Sequence, residues 1–115
     1  MYALELSEFS DQRIKSNIKT ISSSLDAIKL LNPVTYHNEK SNRKDSGLIA
    51  QEVEPIIPHL VSTTNTEHKG EIIPDFKSLS YTGIIPYLIG SIKELSVKVD
   101  SLEKQLEAKN ECKRN

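Results

Sequence analysis

Little in this chain suits it to cross-linking, metal binding or crossing a membrane. It holds one cysteine, Cys112, in a polar tail. A single cysteine builds neither an internal disulfide nor a zinc site. His37, His59 and His68 stand apart, without the spacing of metal ligands, and read as surface histidines. No basic excess exists either: the formal net charge is −1, which argues against a nucleic-acid partner. No apolar run approaches the length of a membrane span, and Met1-Tyr2 does not open a signal peptide. There is no glycine-rich phosphate loop and no carboxylate pair at plausible site spacing, so a turnover enzyme acting on free substrates is disfavoured. No cofactor or metal is expected, and neither nucleic acid nor membrane as a partner.

What is present fits one small domain of 115 residues, 37% hydrophobic and 27% charged. The core of such a chain supports modest independent stability. Burying surface against copies of itself adds to it.

Residues 1–9 alternate roughly apolar and polar through Tyr2, Leu4, Leu6 and Phe9, as a short strand or extended arm does. Ser10-Asp11 is suited to capping a short helix or turn. Ile14, Ile18 and Ile21 follow a helical period, but Thr20 and Ser22–Ser24 weaken it, so a strand or irregular segment also fits. Ser24 to Leu31 predicts a compact helix stopped by Asn32-Pro33. Val34–His37 reads as a strand, and the wholly polar residues 38–46 as a solvated loop. Gly47–Glu54 begins apolar and ends as a helical turn before Pro55. Leu60–Thr63 is a second strand. Residues 64–71 read as a polar loop with Gly70 at a hairpin turn, and Ile72–Phe76 as the returning strand. Lys77–Thr82 leads into the last helix.

That helix is the clearest local signal. Leu88, Ile92, Leu95, Val99, Leu102 and Leu106 are spaced four, three, four, three, four. This is a heptad stripe, with Ile92, Val99 and Leu106 at a and Leu88, Leu95 and Leu102 at d. Lys98 at g and Glu103 at the following e permit an interchain ion pair in a parallel coil, which favours register more than stability. Lys109, Lys113 and Arg114 suit a helix C-terminus. The alternative is an amphipathic helix packed on its own domain. The mixed a positions leave dimer and trimer both open.

Three stretches then line up in order: Ser10-Asp11-Gln12-Arg13-Ile14-Lys15; Leu31-Asn32-Pro33-Val34-Thr35-Tyr36 followed by Gly47-Leu48-Ile49-Ala50-Gln51-Glu52-Val53-Glu54; and Tyr81 with Pro86-Tyr87-Leu88-Ile89-Gly90-Ser91-Ile92-Lys93-Glu94-Leu95. Together they resemble the intramolecular chaperone domain of endosialidases and phage tail spikes and fibres, the S74 peptidase family. The resemblance covers residues 10 to about 107. It implies an α+β fold: a small globular head of short strands and helices, then a long C-terminal helix forming a parallel trimeric coiled coil over 84–109. Residues 1–9 become the remnant of a preceding stalk or arm, 10–107 the chaperone domain and 110–115 a polar tail.

The resemblance also implies a function. Such a domain trimerises, registers a viral fibre or spike stalk and then cuts itself off. A non-local β stalk folds slowly and is prone to misassembly, which makes a detachable trimeric nucleus useful. The expected partners are two further copies and the stalk, attached N-terminally or separate. The expected setting is a virus-encoded protein in the host cytoplasm during assembly, virion-associated before release. The cut falls between Phe9 and Ser10, with Ser10 the nucleophile and Lys15 the general base. Asp11, Arg13, Gln51 and Glu52 are supporting positions. Arg13 would position backbone or a carboxylate, and Gln51 and Glu52 would line the site or form interchain contacts, with packing and polar contacts the favoured reading. The local sequence alone reads Ser10 as a cap and Lys15 as a solvated lysine; only the resemblance reverses that. Many relatives carry a histidine just before the G-L-I-A-Q segment, where this chain has Lys44-Asp45-Ser46; His37 is the nearest. The competing functions are a non-cleaving homo-oligomerisation module and a coiled-coil adaptor for a foreign helix.

Overall fold

A computed structural model describes residues 7–114. The arm or strand expected at the N-terminus therefore lies, apart from its last residues, outside the described residues. After a three-residue 3-10 turn, Gln12–Ile14, the chain runs irregularly to Ser23, the option left open beside a helix there. Helix α1 (Ser24–Lys29) ends, as Asn32-Pro33 requires, at its C-cap Leu30. Strands β1 (Val34–Asn38) and β2 (Arg43–Gly47) pair antiparallel from Val34 opposite Gly47 to Asn38 opposite Arg43. A short helix α2 (Ala50–Val53) and a 3-10 turn (Pro58–Leu60) lead to a second antiparallel hairpin of β3 (Val61–His68) and β4 (Glu71–Leu79). A last 3-10 turn, Thr82–Ile84, runs into α3 (Ile85–Arg114).

The polar stretch 38–46 is where the expectation of a loop fails. Most of it is hairpin. Asn38 drives the reversal, its Oδ1 accepting from Lys40 N (2.9 Å) and Ser41 N (3.2 Å) and its carbonyl from Asn42 N (2.7 Å). Asn42 takes the left-handed conformation that asparagine tolerates (φ 54°). Arg43–Ser46 carries no apolar alternation because backbone pairing with β1, not a buried face, makes it a strand. The second polar stretch is likewise shorter than expected. Only Lys69 and Gly70, both at positive φ, lie outside the strands, and Gly70 supplies the turn.

The core is small. Val53, Ile57, Leu60 and Ile84 are buried together, with Ile28, Leu31, Leu48, Leu79 and Tyr87 packed around them. It thus draws on α2, the turns beside it, α1, β4 and the first turn of α3. Two tight joints set the geometry. Tyr81 Oη accepts from Leu48 N (2.9 Å) and donates to Leu48 O (3.2 Å), pinning the chain between β2 and α2. Any side chain at Gly47 would collide with that hydroxyl. At the second joint α1 crosses α3, and any side chain at Gly90 would run into the fully buried Ser24. Glu94 of α3 accepts from Leu25 N at 3.1 Å and so serves one of the N–H groups left unpaired within the first turn of α1, a task the Ser23 side chain does not perform.

From there α3 leaves the head behind. Thirty residues of helix extend about 45 Å, and the molecule measures 76 × 39 × 32 Å. The helix continues through residues 110–114.

Candidate functional site

Ser10 and Lys15 are brought together by the turn between them. Asp11 is its N-cap, with the side-chain Oδ1 accepting from Arg13 N at 2.8 Å. The backbone closes with Ile14 N donating to Asp11 O and Lys15 N to Gln12 O, both at 3.1 Å. Lys15 Nζ then reaches Ser10 Oγ at 2.6 Å. As an ammonium the lysine donates in this contact. As a neutral amine it would accept the serine proton over the same distance, the geometry a general base needs.

Ser10 does not cap the turn, contrary to the simplest local reading. Asp11 does so, and Ser10 Oγ is left to Lys15. Arg13 answers the choice between backbone and carboxylate with the carboxylate: its Nε and Nη2 donate to Asp11 Oδ1 (3.0 Å) and Oδ2 (2.9 Å). The Arg13 side chain, and then its backbone N–H, hold the Asp11 carboxyl below the usual aspartate range, and Asp11 in turn raises the Arg13 guanidinium.

The whole segment is open to solvent in the single chain. Phe9, Ser10, Asp11, Arg13 and Lys15 are all exposed, Phe9 at 97%. Ile14 and Ile18 are each 66% exposed and Ile21 40%, so residues 9–21 present apolar side chains to solvent, with Ile21 partly covered beside Pro86 and Ile89 of α3. Gln51 and Glu52 lie on the exposed side of α2. Gln51 lines an open groove of about 590 Å³ with Tyr36, Phe76 and Tyr81. Neither residue bonds to Ser10 or Lys15. His37 is likewise engaged elsewhere, its Nε2 3.0 Å from Asn42 Oδ1 in the β1–β2 turn.

The other candidate surface is α3. Tyr87, Gly90, Ser91 and Glu94 face the head and are buried or half-buried. The heptad stripe lies on a different face. Leu88, Ile92, Leu95, Val99, Leu102 and Leu106 are between 44% and 67% exposed. A helix packed on its own domain, the alternative reading of the stripe, therefore describes only the first three turns, and by other residues. Glu94 and Gly90 belong to the third motif stretch, but their roles at the α1 joint carry no sequence signal, because they depend on contacts with residues more than sixty positions away.

Comparison with known proteins matches residues 10–62 to a family model described as chaperone of endosialidase. Long tail fiber protein Gp37 of Salmonella phage S16 is 34% identical over 114 residues, taking in 92% of this chain. The Gp37 proteins of Enterobacteria phages K3 and T2 are each 30% identical over 102 residues, or 84% of this chain. The chain spans 15%, 8% and 7% of those three proteins. A crystal structure described as that of a novel intramolecular chaperon aligns at a TM-score of 0.56 and 18% identity, covering 77% of this chain and 99% of that one. At that identity the likeness concerns the fold.

Proposed function

This chain belongs to the chaperone-of-endosialidase family, and from that premise we propose that it is an intramolecular chaperone of a virus-encoded tail fibre, which trimerises, registers the fibre chains and then releases itself by cutting before Ser10. The observation that carries the reading is the uncovered apolar stripe of α3. A helix of this length projecting from its head gains little from propensity alone. Copies packed along the a and d positions would bury the stripe, and a parallel arrangement would bring three N-termini to one end, where fibre chains need alignment.

The proposed cut uses the Ser10–Lys15 pair. Neutral Lys15 removes the Ser10 hydroxyl proton as Oγ adds to the Phe9 carbonyl carbon. The Phe9–Ser10 C–N bond breaks, the Ser10 nitrogen takes a proton from the lysine and leaves as an amine, and Phe9 is held as an ester on Oγ. Water then hydrolyses the ester to a Phe9 carboxylate and a free Ser10 hydroxyl. A lysine ordinarily titrates near ~10.4, and desolvation favours the neutral form. Lys15 is exposed in the single chain, so a neighbouring copy closing over residues 9–21 would supply that desolvation and couple the cut to assembly. The exposed Ile14, Ile18 and Ile21 support this, since they offer such a copy an apolar surface.

The test is mass spectrometry beside light scattering. The expected result is an assembly of three chain masses and a species beginning at Ser10, absent in Ser10→Ala. An intact chain under assembling conditions would instead favour a non-cleaving oligomerisation module. A monomer that associates only with foreign helices would favour an adaptor.

A further inference from the structure

We propose that Asp11 and Arg13 are positioning residues of the Ser10–Lys15 pair, holding the turn that sets Lys15 Nζ against Ser10 Oγ and keeping that oxygen out of backbone capping. The proposal deepens the reading of Ser10 as nucleophile and rests on it.

The geometry makes the pair depend on the turn. Five residues of extended chain span about 17 Å, which a lysine side chain cannot bridge. A 3-10 turn rises only about 2 Å per residue, and Gln12–Ile14 is the segment that shortens the path. This turn buries no residue. Packing against the head therefore does not hold it, and local hydrogen bonds must.

Those bonds converge on Asp11. Its Oδ1 accepts the Arg13 backbone N–H and Nε, and its Oδ2 accepts Nη2. The two planar groups meet fork to fork, which fixes direction as well as distance. Asp11 also occupies the role a neighbouring serine commonly takes. A serine at a turn start tends to turn its oxygen onto a backbone N–H two or three residues on. With Asp11 serving the N–H of Arg13, the Ser10 hydroxyl has Lys15 as its partner. A lysine at position 13 would keep the charge but lose the fork. An asparagine at position 11 would keep an acceptor for the backbone N–H but lose the ion pair.

The experiment is a time course of self-cleavage by intact mass for the full chain and for Asp11→Ala, Asp11→Asn, Arg13→Ala, Arg13→Lys and the Asp11→Ala/Arg13→Ala double variant, with Ser10→Ala as control. Light scattering follows assembly in each. The expected result is a cut slowed by about tenfold or more in both alanine variants, with partial recovery in Asp11→Asn and Arg13→Lys and unchanged assembly. The double variant should be no slower than the slower single one, because the two side chains form one device. Cutting at the full rate by Asp11→Ala overturns the proposal. If the unmodified chain stays whole, or Ser10→Ala is still cut, the reading of Ser10 as nucleophile fails, and the positioning claim is then judged alone. Its separate readout is the nuclear Overhauser contact between the Lys15 ε-methylene and Ser10 β-methylene, expected in the unmodified chain and lost in Asp11→Ala. A contact that persists in Asp11→Ala overturns it.

Discussion

The head and the C-terminal helix solve opposite problems with the same residue types. In the head, Ile57 is 2% exposed and Val53 1%, enclosed by elements drawn from across the chain. In α3, Ile92 is 67% exposed and Leu102 63%. The head encloses a core with its own contacts, whereas the apolar stripe of α3 is left exposed from Leu88 onward. Among the described residues only five apolar side chains are buried: Leu25, Val53, Ile57, Leu60 and Ile84. Ordering a residue costs roughly 1–2 kcal/mol in backbone entropy, so so small a core is poor support for thirty residues of projecting helix. The difference teaches that, if copies associate through the stripe as proposed, the chain's stability is divided between an intramolecular part, independent of concentration, and a part that association supplies.

The strongest way to break this division is Leu95→Asp with Leu102→Asp. Two carboxylates in the seam should abolish assembly and leave the head folded, read by light scattering beside circular dichroism. If cutting is coupled to assembly this monomer stays whole; efficient cutting by it would sink the coupling. Next comes Ile57→Ala, expected to destabilise the head by about 2–5 kcal/mol at any protein concentration. Leu102→Ala should instead lower the melting temperature only at concentrations where copies associate, so equal behaviour of the two in dilution-series unfolding would erase the distinction. Gly90→Val is expected to cost roughly 1–3 kcal/mol by driving a side chain into Ser24, loosening α1 from α3 while assembly persists. The smallest effect concerns the exposed turn outside both regions. Because Arg13 lowers the Asp11 carboxyl, the pairing contributes fully above the ordinary value near ~3.9. It is lost as pH falls through the lower folded value. The Asp11 carboxyl carbon should therefore titrate below a free aspartate in a carbon-13 pH series, and a midpoint at or above the free value would contradict the pairing.

Legibility followed the range of the forces. Helix α1, its stop at Asn32-Pro33 and the turn at Gly70 could be read because propensity and turn chemistry act over a few residues. Strand β2 could not, since Arg43–Ser46 buries no face and its conformation comes from Val34–Asn38 across the hairpin. The extension of β3 through Glu67 and His68 was hidden likewise, its polar residues being held by pairing with Glu71 and Ile72. At the site, Ser10 and Lys15 were named through the resemblance of a motif. Local rules offered Ser10 and Asp11 alike as caps because they do not decide between adjacent serine and aspartate; in the structure Asp11 Oδ1 takes the Arg13 backbone N–H.

The heptad stripe shows where the two sources of information divide. The spacing from Leu88 to Leu106 by itself determined a long helix with one continuous apolar face, because 3.6 residues per turn is a local property of the backbone. It determined nothing about what that face meets. Tertiary structure decided that the head takes a different strip of α3, through Tyr87, Gly90, Ser91 and Glu94, because Gly90 lets Ser24 approach and Glu94 reaches Leu25. Those contacts join positions far apart in the chain, so no local period encodes them. By occupying that strip, they leave the stripe of leucines, isoleucine and valine open.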